Sequence, residues 1–252
     1  MTRIAEIFRE KKPLIVYITA GDPSLKSTAD QILALGKAGV DIIELGIPFS
    51  DPLADGPTIQ SSHARALKAK TTLPKIMQMI KQVRKKTKIP LVLMGAYNLF
   101  YKYGYNKFAI EALKNKIDGI IIPDLPPEEA QGIIKEARSK NFATIFLASL
   151  TSSPKRLGKI TTASTGFIYL VAVKGVTGAR AKLDQQLNKT ISKLKKITSK
   201  PVAVGFGIST AAQAKSILKK ADGVIIGSSY IKKFQSSPAQ AYKFIKGIAK
   251  GI

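Results

Sequence analysis

Eight short apolar runs punctuate the chain: LIVYIT (14–19), DIIELG (41–46), PLVLMG (90–95), DGIIIP (118–123), ATIFLA (143–148), GFIYLV (166–171), PVAVG (201–205) and DGVIIG (222–227). Most are rich in Ile and Val, apolar at nearly every position and bounded by turn residues, as expected of strands buried on both faces of a parallel sheet. Between them, stretches such as STADQILALGKAG, PEEAQGIIKEARSKN and TAAQAKSILKKA place apolar residues three and four apart, as on amphipathic helices. Eight such units predict an α/β fold, a (β/α)8 TIM barrel forming a single domain over 1–252, since ~250 residues is the usual length of that fold. A doubly wound parallel sheet is the alternative at this length. Two features lie outside the simple alternation. Thr2 reads as the N-cap of a short helix with Ile4, Ile7 and Phe8 on one face, which would close the bottom of the barrel. After the second strand, a loop and two helical segments, TIQSSHARALKAK and LPKIMQMIKQVRKK, predict one helix more than the alternation needs.

Composition narrows the class. The chain has 252 residues, 45% of them hydrophobic and 23% charged, enough to bury a large core. It has no cysteine, which removes disulfides, thiolate nucleophiles and thiolate metal sites together. No segment approaches the ~18 apolar residues of a membrane span, so the expectation is a cytoplasmic protein with no membrane partner. The net charge of +25 would ordinarily suggest nucleic acid or an anionic surface as partner. However, only seven of the 41 basic residues are arginines, whereas base and phosphate recognition favours arginine. The densest lysine runs, KQVRKKTK and KLKKITSK, end helical patterns just before apolar strands, where they complement the negative end of the helix dipole. No specific nucleic-acid partner is expected.

In a barrel the chemistry lies where the strands end. Glu44 ends the second strand in the apolar frame of Ile42, Ile43, Leu45, Ile47, Pro48 and Phe49. A buried carboxylate needs either a pair or a chemical task, and apolar surroundings would raise its pKa toward neutrality. Asp55 follows in LADGP, where turn chemistry is an equal reading. Glycine-rich turns follow the last three strands: Gly175 to Gly178, Gly205 to Ser209, and Gly227-Ser228-Ser229 opening a helical run. Together they point to a phosphate ester held on backbone amides, with tight-turn geometry as the alternative. No GxxxxGK[ST] and no strand-linked GxGxxG supports a nucleotide. His63, alone on a polar helical pattern, reads as a surface or packing residue, and no metal site is expected. Asp118 and Asp124, flanking the fourth strand, read as turn or N-cap residues.

The segment ELGIPFSDPLADGPTIQ (44–60) closely resembles the signature of the tryptophan synthase α-subunit family. The resemblance continues, in the family's order, through YITAGDP (17–23), IIPDLP (121–126), KGVTGAR (174–180), GFGIS (205–209) and GSSYIK (227–232), covering essentially the whole chain. It implies reverse-aldol cleavage of indole-3-glycerol phosphate to indole and glyceraldehyde 3-phosphate. It also implies roles: Glu44 as general acid and base, and Asp55 holding the indole N–H. The phosphate would rest on Gly178, Gly207, Gly227 and Ser228. Tyr17, Ile59, Met94, Tyr169 and Phe206 match the indole pocket, and Thr177 the loop residue that contacts the catalytic Asp. No cofactor is implied in this chain. The implied partner is a β subunit carrying pyridoxal phosphate in an αββα heterotetramer, facing the loop that holds Pro48 and Asp51. The chain departs from the family pattern at Ala172 and Val173 after the sixth strand, near Tyr97 and Asn98, and at Leu150. Another phosphate-binding barrel enzyme, or a weakly catalytic partner of the β subunit, remain as alternative readings.

Overall fold

The computed structural model describes residues 1–52, 55–172, 180–205 and 207–252, for 180–184 in the backbone alone. Its strands are β1 (Leu14–Thr19), β2 (Ile42–Gly46), β3 (Leu91–Met94), β4 (Gly119–Ile121), β5 (Ala143–Ser149), β6 (Ile168–Val171), β7 (Val202–Gly205) and β8 (Gly223–Ile226). They close into a barrel in sequence order, all parallel, with β1 paired to both β2 and β8. Closure removes the doubly wound alternative, and each strand ends within two residues of the limits read from the apolar pattern.

Around the barrel lie α1 (Arg3–Glu10), α2 (Leu25–Lys37), α3 (Pro57–Lys68), α4 (Leu73–Val83), α5 (Tyr97–Tyr103), α6 (Tyr105–Lys114), α7 (Gln131–Ser139), α8 (Pro154–Ala163), α9 (Arg180–Ile197), α10 (Ala211–Leu218), α11 (Ser228–Ser236) and α12 (Pro238–Lys250). The expected additional helix after the second strand is present as the α3–α4 pair. A further helix, α5, was not expected. Its N-cap position is Ala96, which offers no side-chain cap, and the first-turn amide of Tyr97 instead donates to Asp124 Oδ1 at 2.8 Å. The capping residue comes from the loop after β4, so no local signal announces this helix. Lysines do gather in the last turns of helices, among them Lys37, Lys68, Lys81, Lys114, Lys215 and Lys250.

The barrel interior is packed from the bottom upward. Thr2 caps α1, its hydroxyl accepting from the Ala5 amide at 3.3 Å. That helix inserts Ile4 among Ile15, Ile42, Val92, Ile121 and Ile225. Phe8 lies 5.2 Å from Phe167 between ring centroids, and Phe167 lies 6.3 Å from Tyr169, so aromatic rings lead from the plug toward the open end.

The bottom rim carries a repeated clip. Asp41 Oδ2 accepts from the Leu14 amide (2.8 Å), Asp118 Oδ2 from Leu91 (2.8 Å), Thr165 Oγ1 from Thr144 (2.9 Å) and Asp222 Oδ2 from Val202 (2.9 Å). In each case a side chain just before an even-numbered strand satisfies an amide at the start of the preceding odd strand, where the ladder has no partner to give. Asp118 is therefore a strand clip. It also takes Arg84 Nη2 at 2.9 Å and Arg3 Nη1 at 3.2 Å, and the Arg84 and Asp118 side chains are only 8% and 7% exposed. Asp118→Ala would leave the buried Arg84 guanidinium without its counter-charge, held only by backbone carbonyls, and the Leu91 amide without its acceptor, so it should lower the unfolding free energy by roughly 3–5 kcal/mol. Asp222→Ala should cost less, because its partner Lys195 is solvated. Denaturant unfolding of the two variants checks this order.

Candidate functional site

The strands present their C-terminal ends at the mouth opposite α1, and there β1 and β2 set two side chains level. Tyr17 and Glu44 are register partners, so both face the barrel interior. The next inward position on β2 is Gly46, where a Cβ would fall 2.1 Å from Tyr17 Oη. Across the barrel, a Cβ on Gly205 would stand 2.7 Å from the Tyr169 ring. Two glycines thus make room for the two tyrosines that wall the site.

Glu44 is 1% exposed, and neither carboxyl oxygen has a hydrogen-bond partner among the described residues. Burial, and secondarily the charge of Asp55, push its pKa up to about 8, so the group is protonated at neutral pH. Burial and the same carboxylates hold the Tyr17 and Tyr169 hydroxyls well above the ordinary phenol range. Asp55 sits in the loop after β2, fixed through its backbone. Its amide donates to the Pro52 carbonyl at 3.0 Å, and its carbonyl accepts from Gln60 Nε2 at 2.8 Å. Burial raises its carboxyl to about 6, below Glu44, so between these values Asp55 is ionised while Glu44 keeps its proton.

A cleft of ≈350 Å³ opens beside Tyr17 and Asp55, lined also by Phe49, Met94, Asn98 and Asp124 among others; Glu44 and Tyr169 are not in its lining. His63 also lines it, only 5% exposed, with Nε2 3.0 Å from Tyr17 Oη and 3.8 Å from Asp55 Oδ2. Of the two roles its local pattern offers, surface or packing, the burial of His63 excludes the first. The signal was present in the spacing: Ile59, Ser62, His63 and Ala66 fall at i, i+3, i+4 and i+7, the inward stripe of α3.

At the other side of the mouth, Gly227 begins α11 without a side-chain cap, and Ser228 is the first helical residue. Side-chain caps at the N-cap position are present on α1, α2, α8, α10 and α12, from Thr2, Ser24, Ser153, Thr210 and Ser237, whereas α3 to α7 lack one as α11 does; what sets α11 apart is the glycine turn of the last strand that precedes it. The first amides of α11 are thus left without a capping oxygen, an arrangement suited to an anion. Gly207, in the neighbouring loop after β7, is exposed with φ +30°. Gly178, Thr177 and Phe206 lie outside the described residues, as does Val173. Ile59 and Met94 are half-buried against the core. Pro48 is buried against its own chain, whereas Asp51 is exposed beside the cleft. Ala172 is buried, its amide donating to the Gly205 carbonyl at 3.0 Å. Leu150 is half-buried against the core. Among the described residues no group of three or more His, Asp or Glu side chains could hold a metal ion.

The unpaired Glu44 has a thermodynamic signature. Folded, it keeps its proton up to about pH 8, whereas the unfolded chain releases it near the ordinary value of 4.5. Between these values the folded state binds more protons, so this group's contribution to stability falls as pH rises, by at most about 1.4 kcal/mol per pH unit. Glu44→Gln removes that slope. The stability of the variant relative to the parent should grow from pH 5 upward and level off above pH 8, measured by urea unfolding at a series of pH values.

Residues 5–249 match the family described as tryptophan synthase alpha chain. Tryptophan synthase alpha chains are similar throughout. That of Geotalea daltonii is 49% identical over 226 residues, covering 90% of this chain and 86% of its own. That of Citrifermentans bemidjiense is 43% identical, covering 100% and 98%. Among solved structures, Mycobacterium tuberculosis tryptophan synthase superposes with a TM-score of 0.93 at 31% identity, covering 100% of this chain and 98% of that one. A chain of the tryptophan synthase a2b2 complex from the hyperthermophile Pyrococcus furiosus gives 0.87 at 40% identity, covering 95% and 96%. With a family match over residues 5–249 and alpha chains 43% and 49% identical over nearly the whole chain, the chain belongs to the tryptophan synthase alpha chain family.

Proposed function

We propose that the whole chain acts as one catalytic domain, a lyase that performs its family's known reaction, cleavage of indole-3-glycerol phosphate, with Glu44 and Asp55 as the reacting carboxyls. The observation that carries this assignment of roles is the protonated, unpartnered Glu44 beside an Asp55 of lower pKa. The substrate is an aromatic enamine, whose carbon–carbon bond breaks only after indole C3 has gained a proton. Glu44 gives that proton, and positive charge develops on the ring nitrogen, where the Asp55 carboxylate accepts the N–H. Glu44, now ionised, takes the proton of the hydroxyl on the carbon bonded to C3. The C3–carbon bond then breaks, its electrons return to the ring as indole forms, and the oxygen-bearing carbon becomes the aldehyde of glyceraldehyde 3-phosphate. Glu44 ends protonated, so the cycle needs no outside acid or base.

The phosphate rests on the first amides of α11 at Gly227 and Ser228, with Gly207 in the neighbouring loop; the family pattern assigns Gly178 to the same role. The ring lies between Tyr17 and Tyr169, against Ile59 and Met94; the family pattern assigns Phe206 to the same pocket and Thr177 to the contact with the catalytic Asp. The apolar walls favour an indole over a sugar. The Pyrococcus furiosus relative is part of an a2b2 complex, and we extend that assembly to this chain: a β subunit, the holder of any pyridoxal phosphate, docks against the mouth on the side of Asp51. Buried Pro48 supports the shape of that loop more than it offers surface.

Purified protein, alone and with a tryptophan synthase β subunit, should release indole from indole-3-glycerol phosphate, faster with the partner. Glu44→Gln and Asp55→Asn should each lower kcat by at least about 100-fold, the usual worth of a general acid or base. Wild-type-like turnover in either folded variant would remove that residue from the chemistry.

A further inference from the structure

The proposed site has two ends, and a substrate that spans them needs their spacing held. One end is the start of α11, with its amides at Gly227 and Ser228. The other is Asp55, whose carbonyl accepts from Gln60 of α3 at 2.8 Å. A series of side chains joins α11 to α3 through one residue, Asp22, in the loop after β1.

Asp22 is buried and bonded through both its carboxylate and its backbone. The carboxylate takes Arg65 of α3 in a two-pronged pair, Nε on Oδ1 at 2.7 Å and Nη2 on Oδ2 at 2.8 Å. The remaining guanidinium nitrogen, Nη1, donates to the side-chain oxygen of Gln235 at 3.0 Å, with that amide turned so that its oxygen faces the arginine. Gln235 stands in the last turn of α11. The Asp22 carbonyl accepts from Gln31 Nε2 of α2 at 3.1 Å, and Gln31 Oε1 accepts from Tyr230 Oη at 3.1 Å. Tyr230, fully buried, belongs to the first turn of α11. Both ends of α11 therefore reach Asp22, one through Gln31 and the other through Arg65.

The residue at the junction is itself fixed. The Asp22 amide donates to the Thr19 carbonyl at 3.3 Å, and the neighbouring Gly21 amide to Thr28 Oγ1 at 2.8 Å. On its other side α3 is held to β1 by the 2.6 Å contact between Ser62 and Thr19. A forked arginine–carboxylate pair fixes direction as well as distance, and a buried polar network whose members are paired is rigid. Asp22, Arg65, Gln31, Tyr230 and Gln235 all stand outside the lining of the cleft, so they act on the site by position.

We propose that Arg65 and Asp22 are positioning residues: with Gln31, Tyr230 and Gln235 they hold the phosphate-binding start of α11 at a set distance from the Asp55 end of α3, so that one substrate can engage both. This rests on the retro-aldol reading above.

The test is calorimetric binding of three probes: indole, glycerol 3-phosphate, and an indole tethered to a phosphate by a three-carbon chain. The proteins are wild type, Arg65→Met, Arg65→Lys and Tyr230→Phe, with kcat and KM for indole release and thermal unfolding alongside. A tethered ligand gains over its separate pieces by an effective concentration that depends on the spacing of the two subsites. Arg65→Met should weaken the tethered probe by about tenfold or more, the worth of a charge-assisted hydrogen bond, while each separate piece binds within about threefold of wild type. Its kcat should fall as well, because a displacement of about 1 Å can cost ~100-fold in rate. Tyr230→Phe should shift the tethered probe in the same direction by about threefold, as for one neutral hydrogen bond. Arg65→Lys keeps a charge beside Asp22 but lacks the fork that holds Asp22 and Gln235 together, so it should fall between wild type and Arg65→Met. A merely structural pair would lower the unfolding temperature and leave the ratio of tethered to separate affinities unchanged; that ratio, unchanged in folded Arg65→Met, overturns the role. If Arg65→Met does not fold, the same ratio in Tyr230→Phe decides. Wild type that binds the tethered probe no more tightly than glycerol 3-phosphate overturns the two-ended site itself, an outcome separate from these.

Discussion

A carboxyl group enclosed in a barrel without a hydrogen-bond partner can exist there only in its neutral form near pH 7, because an unpaired buried charge costs several kcal/mol or more. Glu44 meets that condition by holding its proton to about pH 8. The condition fixes much around it. The site must stay dry, so two tyrosine rings wall it, and Gly46 and Gly205 give up their side chains to admit those rings. The second carboxyl must remain distinct, so Asp55 sits on a loop, less deeply buried and more acidic. The same constraint that burdens the fold supplies the acid that the chemistry needs.

The two ends of the barrel divide the work. At the bottom, the Ile4 plug fills the barrel, four clips hold strand starts, and the Arg84–Asp118–Arg3 cluster pairs the buried charges. At the mouth, among the described residues, the Glu44 carboxyl oxygens have no partner and the first helical amides of α11 have no side-chain cap. Unsatisfied groups at one end and satisfied ones at the other are what a binding site on a rigid frame requires. Stability held at the bottom allows polar groups at the top to wait for a ligand.

The strands were legible because most are apolar at nearly every position, and α1 because Thr2 and its apolar stripe are local signals. Glu44 was legible as a carboxyl in an apolar frame. Three things were hidden for one reason: their partners are distant in sequence. The start of α5 is capped by Asp124, 27 residues away, and the clip made by Asp118 acts on Leu91 across the same interval. His63 gains its meaning from Tyr17, 46 residues earlier. Local pattern reading sees a polar helix with one histidine, while the fold turns one stripe of that helix inward against β1.

The most direct measurement is the infrared difference spectrum between wild type and Glu44→Gln across a pH titration, which isolates the Glu44 carboxyl. The expected result is a protonated-acid carbonyl band present at pH 7 that gives way to a carboxylate band with a midpoint near 8. A carboxylate already present at pH 6, with a midpoint near the ordinary 4.5, would contradict the claim that burial keeps this group protonated and ready to donate.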